Sequence, residues 1–191
     1  MNDREKGLVD MVLAGKTEAF EPLVLPYRRS LFKIAYRMTG NMEDAKEAAQ
    51  ETLMKAFKYL KRFDPDRSFR NWLFGILVNE ARSLRAERTN APFSLETDAK
   101  TERGLAANSP APGDSCEARE TRSRLMECLT SLTAREKETF LLRDIEQLSI
   151  TEAAEALGTS SISVRVNLSR ARKKIRETIL TKYPHLAEGL R

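Results

Sequence analysis

Residues 148–176 constrain the fold of this chain more than any other stretch, because two helix signals meet there across a turn glycine. Ser149 stands three residues before Glu152. That spacing predicts the reciprocal bonds of a capping box at a helix start. The helix so begun runs to Leu157 and stops at Gly158, where a left-handed residue is wanted. Ser160 or Ser161 caps the next helix, in which Val164, Leu168, Ala171 and Ile175 recur at helical spacing as one apolar stripe. The opposite face carries Val166, Ser169, Arg170 and Lys173, with Arg165 at its edge. Residues 159–176 hold six basic side chains and no acidic one. A surface helix rich in lysine and arginine need bind nothing, but turn glycine, capping box and unmixed charge together describe a helix-turn-helix. Its exposed face suits a major groove: arginine pairs bidentately with guanine, serine reaches base edges or phosphates, and valine touches a thymine methyl.

The rest of the composition narrows the class. With 33 Lys and Arg against 28 Asp and Glu, the net charge of +5 is modest, so the basicity is local. Cys116 and Cys128 are too few for a disulfide scaffold, and with a single histidine no four-ligand zinc site is expected. Neither a metal nor a cofactor is expected. No apolar run approaches the ~20 residues of a membrane span, and the first residues mix acids and bases without a signal-peptide apolar core. The expected compartment is a reducing cytoplasm.

Organisation along the chain follows from a change of composition near residue 91. Residues 91–117 contain three prolines, two glycines and five acids against two bases, with little apolar periodicity, and read as a flexible acidic linker. On either side, segments of helical period follow one another, interrupted at Gly40-Asn41 and Asp64-Pro65-Asp66. No period-two strand is visible. The expectation is therefore all-α, with a helical domain over 1–90, the linker over 91–117, and a helix-turn-helix domain over 118–191, each of the 191 residues' two halves small for a core of its own.

Two further constellations lie in the first half. In residues 41–57, Ala45, Ala49, Leu53, Ala56 and then Leu60 make a stripe of small residues suited to close helix packing. Glu43, Asp44, Glu47, Gln50 and Glu51 gather on the remaining surface. Acids in a first turn favour the helix dipole, but Glu47, Gln50 and Glu51 lie past it and suggest docking of a basic or polar partner helix. In residues 63–88, Ser68 is positioned as an N-cap for a helix that carries Phe69, Trp72 and Phe74, then Asn79, then Arg82, Arg85 and Arg88. Aromatics beside bases suit an unpaired nucleic-acid strand, since stacking is worth ~1–3 kcal/mol per base. Trp72, Leu73 and Ile76 equally suit a core. Asn79 is an amide inside an apolar run, where it must cap, pair or read something.

Taken in order, AYRMTGNMEDAKEAAQETLMKAF, FDPDRSFRNWLFGILVNEARSLRAER and LTAREKETFLLRDIEQLSITEAAEALGTSSISVRVNLSRARKKI resemble an extracytoplasmic-function (ECF) sigma factor, the minimal two-domain form of the bacterial sigma-70 family. The resemblance implies a non-catalytic initiation subunit of RNA polymerase, under control of an anti-sigma factor. It assigns Asp44, Glu47, Gln50, Glu51 and Met54 to the clamp helices of the polymerase's largest subunit, and the second domain to the flap of the second-largest. It assigns Asp66, Arg67, Ser68 and Asn79 to a base flipped from the minus-ten element, and Arg82, Ser83, Arg85 and Arg88 to the adjoining duplex and displaced strand. Arg165, Val166, Ser169, Arg170 and Lys173 would read the minus-thirty-five element, with Arg143, Ser160, Ser161 and Ser163 on phosphates. Lys46 and Ala48 stand where the commonest family form is more acidic, and Val166-Asn167 where many relatives carry serine and a base. A stand-alone helix-turn-helix regulator is the rival, and would need its own dimer surface and a palindromic site. A sigma mimic that sequesters an inhibitor should have lost the groove-reading bases, which are present here.

Overall fold

The computed structural model describes residues 3–90 and 116–184, and every regular element among them is helical. Helices α1 (Asp3–Leu13), α2 (Phe20–Thr39), α3 (Met42–Tyr59) and α4 (Phe69–Asn90) form the first group. Helices α5 (Cys116–Thr130), α6 (Ala134–Phe140), α7 (Ile150–Leu157) and α8 (Ser161–Lys182) form the second. Most of the stretch expected to be linker lies outside the described residues, and its last two positions, 116 and 117, are already helical in α5.

Local chemistry accounts for the breaks. Gly40 ends α2 at φ 75°, and the Asn41 side chain then accepts hydrogen bonds from the backbone N–H groups of Glu43 (2.8 Å) and Asp44 (3.2 Å), starting α3. Both halves of the Ser149–Glu152 capping box form, and Gly158 takes φ 61°. A second capping box, Thr133–Glu136, starts α6. A π turn over Leu141–Ile145 continues α6, followed by Gln147 at φ 59°, a left-handed non-glycine residue of the kind that costs on the order of 1 kcal/mol. That tight exit brings Glu146 to Arg70 of the first group.

Helix α3 lies between α2 and α4, so two of its sides are buried. Ala45, Ala56 and Leu60 are buried as the small-residue stripe predicts, while Ala49 and Leu53 are half-buried and the buried face extends to Ala48 and Thr52. Thr52 satisfies its hydroxyl by donating to the Ala48 carbonyl at 2.6 Å. Ala48 is therefore a packing position; a carboxylate there would meet the core and not a partner protein. Phe69 and Phe74 are fully buried in α4, each worth about 1.5–3 kcal/mol of burial.

In the second group α6 and α7 pack on α8 through Leu141, Leu142, Leu148, Val164, Leu168 and Ala171. The two cores are continuous, because α4 packs directly on α7. Gly75 permits the approach: a Cβ there would sit 3.2 Å from the Ala156 carbonyl oxygen. No helix among the described residues is long and apolar enough to cross a membrane.

Candidate nucleic-acid interface

Helix α8 sorts its basic side chains by direction. On its inner flank, Arg172 makes a two-pronged ion pair with Asp144, Nε to Oδ2 at 2.9 Å and Nη2 to Oδ1 at 2.6 Å, and this carboxylate holds the guanidinium above its ordinary pKa. Lys174 Nζ donates to Glu136 Oε2 at 2.7 Å. On the outer flank Arg165 and Arg170 are exposed and make no hydrogen bond or ion pair among the described residues. Ser169, Val166 and Lys173 are exposed beside them. Ser160 is the N-cap, accepting from the Ser163 N–H at 3.1 Å, and Ser161 and Ser163 are half-buried in the first turn. Arg172 and Lys174 thus brace the helix against its own domain, while Arg165 and Arg170 are left for an external anion. Arg143 belongs to the bracing set: its Nη1 donates to the Leu148 carbonyl and its Nε is buried, so it secures the turn and is poorly placed for a phosphate.

On α3, Glu47 and Gln50 are exposed, Glu51 is half-exposed, and Met54 is 55% exposed. Of these, Gln50 also lines a groove with Arg28, Phe32, Lys46, Ala49 and Leu53. Asp44 departs from the expected surface. It is only 7% exposed, and its carboxylate receives Arg88 Nη2 from the end of α4. Helix packing thus takes one residue from the expected polymerase face and one from the expected DNA set and pairs them.

The loop into α4 turns on Asp64, whose Oδ1 accepts from the Asp66 N–H at 3.0 Å, and Ser68 caps α4 by accepting from Asn71 N–H at 3.3 Å. Trp72 is half-buried in a cluster with Phe63 and Phe69, at ring separations of 5.0 and 5.7 Å, so it packs the helix base. Asn79 is exposed, not an amide inside the core, and its Oδ1 accepts from Arg82 Nη1 at 3.4 Å. Ser83 and Arg85 are exposed on the next turn.

These side chains line a seam with the second group. Arg82 forks onto Glu138, Arg70 donates to the carbonyl and carboxylate of Glu146 at 2.5 and 3.0 Å, and Arg67 meets Glu155 at 2.8 Å. Asn79, Gly75 and Trp72 share a groove with Ala156 and Gly158. The acids Glu138, Glu146 and Glu155, and the buried Asn71 whose Oδ1 has no partner, carry no sequence signal of this role. Ile162, apolar and off the packing stripe of α8, is exposed in its first turn.

The model for sigma-70 region 2 matches residues 23–90 and that for sigma-70 region 4 matches residues 122–175. The RNA polymerase sigma factor NccH of Alcaligenes xylosoxydans xylosoxydans is 31% identical over 171 residues, covering 90% of this chain and 92% of its own. The chain belongs to the ECF branch of the sigma-70 family. The ECF RNA polymerase sigma factor SigG of Mycobacterium tuberculosis is 31% identical over 177 residues, and there the chain spans less than half, 46%, of the relative's length. In the structure of CnrH in complex with the cytosolic domain of CnrY, the CnrH fold matches with a TM-score of 0.71 at 27% identity, over 94% of this chain and 99% of that one. For a family member, the region 2 match contains α3 and α4 with all the expected polymerase and minus-ten residues, and the region 4 match contains α8 through Ile175.

Proposed function

We propose that the chain directs bacterial core RNA polymerase to a set of promoters and nucleates their melting, working in the cytoplasm and performing no chemistry itself. Residues 1–90 form the docking and minus-ten unit, 91–117 the connection, and 118–191 the minus-thirty-five unit. The face of Glu47, Gln50, Glu51 and Met54 docks the clamp helices of the largest subunit; Asp44 supports that face from within through Arg88. The flap of the second-largest subunit takes the second unit. A base extruded from the minus-ten element is held by Asp66, Arg67, Ser68 and Asn79, offsetting an unstacking cost of a few kcal/mol. Ser83, Arg85 and the released Arg82 follow the neighbouring strand.

The observation that carries this reading is the division of α8, with Arg165 and Arg170 unpaired beside Val166 and Ser169, while Arg172 and Lys174 are tied to Asp144 and Glu136. The seam adds a condition. While the buried Glu138 holds Arg82, that base is kept from DNA, so the two groups must part for it to act in initiation; Arg67, 61% exposed, is only rim-paired with Glu155. An anti-sigma factor is the partner we propose for the joined state, by analogy with the CnrY domain bound to CnrH.

In vitro transcription tests the reading: purified chain and core polymerase on a pool of promoter fragments, beside Asn79→Ala and Arg170→Ala. Initiation that depends on the chain is expected, reduced at least about fivefold by Arg170→Ala, since a bidentate base contact is worth ~1–3 kcal/mol. Duplex binding by the chain without any polymerase-dependent initiation would instead support a stand-alone regulator.

A further inference from the structure

Ile162 is 71% exposed, the most exposed large apolar side chain among the described residues, and Val166, one turn on, is 42% exposed. Single exposed apolar residues need no explanation. These two are neighbours at i and i+4, and they sit within the unpaired cationic face between Arg165 and Arg170. No acidic residue occurs in α8 before Glu177. A β-branched residue in the exposed first turn adds nothing to helix stability, and neither side chain belongs to the stripe that packs the domain.

From this placement we infer that Ile162 and Val166 form a two-residue apolar reader for thymine methyl groups, so that the upstream promoter element carries two thymines no more than two base pairs apart. The inference rests on the proposed role of α8 in promoter DNA. The surrounding charge selects a polyanion over an apolar protein surface, which would have to desolvate Arg165 and Arg170 without a counter-charge. In the major groove the C5-methyl of thymine is the apolar feature of the base edges. The first residues of a recognition helix are the ones that reach those edges, and Ile162 is the second residue of α8. Four residues of helix rise ~6 Å, which spans about two steps of duplex at ~3.4 Å each. Ile162 therefore determines sequence preference at one position and Val166 at a neighbouring one.

Deoxyuridine substitution isolates the methyl group, because it changes nothing else on the base. Holoenzyme assembled from the chain and core polymerase is first used to select its promoter from a library randomised through the upstream element. Each selected thymine is then replaced by deoxyuridine and initiation is measured with wild type, Ile162→Ala and Val166→Ala. The wild type is expected to lose about fourfold at each of two neighbouring positions, the worth of one buried methyl-sized group. Each alanine variant should be insensitive to the change at its own position and keep the loss at the other. Wild-type holoenzyme that initiates equally well on thymine and uracil templates overturns the reader and leaves the proposed function standing. An Ile162→Ala defect of equal size on both templates also overturns it, pointing to a protein contact. Absence of any chain-dependent initiation removes the proposed function and the reader with it.

Discussion

Arg82 of α4 and Glu138 of α6 form a two-pronged ion pair across the seam, Nε to Oε1 at 3.0 Å and Nη2 to Oε2 at 2.7 Å, with the glutamate side chain only 5% exposed. Removing one partner of a fully buried pair costs about 3–5 kcal/mol, but Arg82 is partly wet and the groups can separate to hydrate it, so about 1–2 kcal/mol is expected here. Glu138→Gln should shift the chain toward separated groups, seen as a larger radius of gyration in small-angle scattering. Added salt should act in the same direction, since Arg70–Glu146 and Arg67–Glu155 are also charged. An unchanged radius in the variant at both low and high salt would show that the ion pairs do not hold the seam.

Gly75 tests the apolar part of the same contact. Alanine there gains about 0.5–1 kcal/mol of helix propensity in α4 but needs α7 to yield a few tenths of an ångström at the Ala156 carbonyl. Gly75→Leu cannot be accommodated that way. It should leave α4 helical by circular dichroism while hydrogen exchange of α7 amides speeds up; α7 protection equal to wild type would refute the packing argument.

Acid sensitivity should arise in part at the capping boxes. The Ser149 backbone N–H, 2.7 Å from Glu152 Oε2, and then the Ser149 hydroxyl hold that carboxyl below its ordinary value of 4.5. Burial pushes Glu136 up, but Lys174 and the Thr133 backbone outweigh it and its carboxyl also lies low. A depressed carboxyl contributes stability that is present above its unfolded value and is lost as pH falls through the folded one. Urea midpoints should hold from neutral pH to about 5 and fall below about 4.5. Glu152→Gln keeps an acceptor for the cap, so its midpoint should fall less steeply in acid; a slope identical to wild type would assign the acid loss elsewhere.

Cys128 is buried, and its burial, with Glu127 alongside, pushes the thiol above its ordinary pKa. Both effects remove the reactive thiolate. In a Cys116→Ser background, Cys128 should resist iodoacetamide under native conditions and react fully in denaturant, followed by mass spectrometry. Rapid native labelling would mean that the α5–α8 packing opens readily.

Much of the local structure was legible because its physics is local. Ser149 with Glu152, Gly158 and Ser160 act on backbone groups within three or four residues, so the order of letters suffices to place α7 and α8. The buried stripe of α8 follows equally from helical period, and so does the exposure of Arg165, Val166, Ser169 and Arg170. The small-residue stripe of α3 was visible for the same reason, although its centre was displaced by the second neighbour that α4 supplies.

The sequence by itself therefore determined an all-helical chain in two groups, the turn that presents the basic helix, and the outer face of that helix, since each rests on spacing along the chain. Only the tertiary structure decided which charges remain available. Asp44 is withdrawn by Arg88, 44 residues away, Arg82 by Glu138, 56 residues away, and Arg143 by the turn it braces. Asn79 reaches the surface and Trp72 is half-covered because α4 presents one edge to α7 and another to Phe63. Whether a charged side chain meets solvent, DNA or a partner across the seam depends on how helices distant in sequence pack, and no local period encodes that distance.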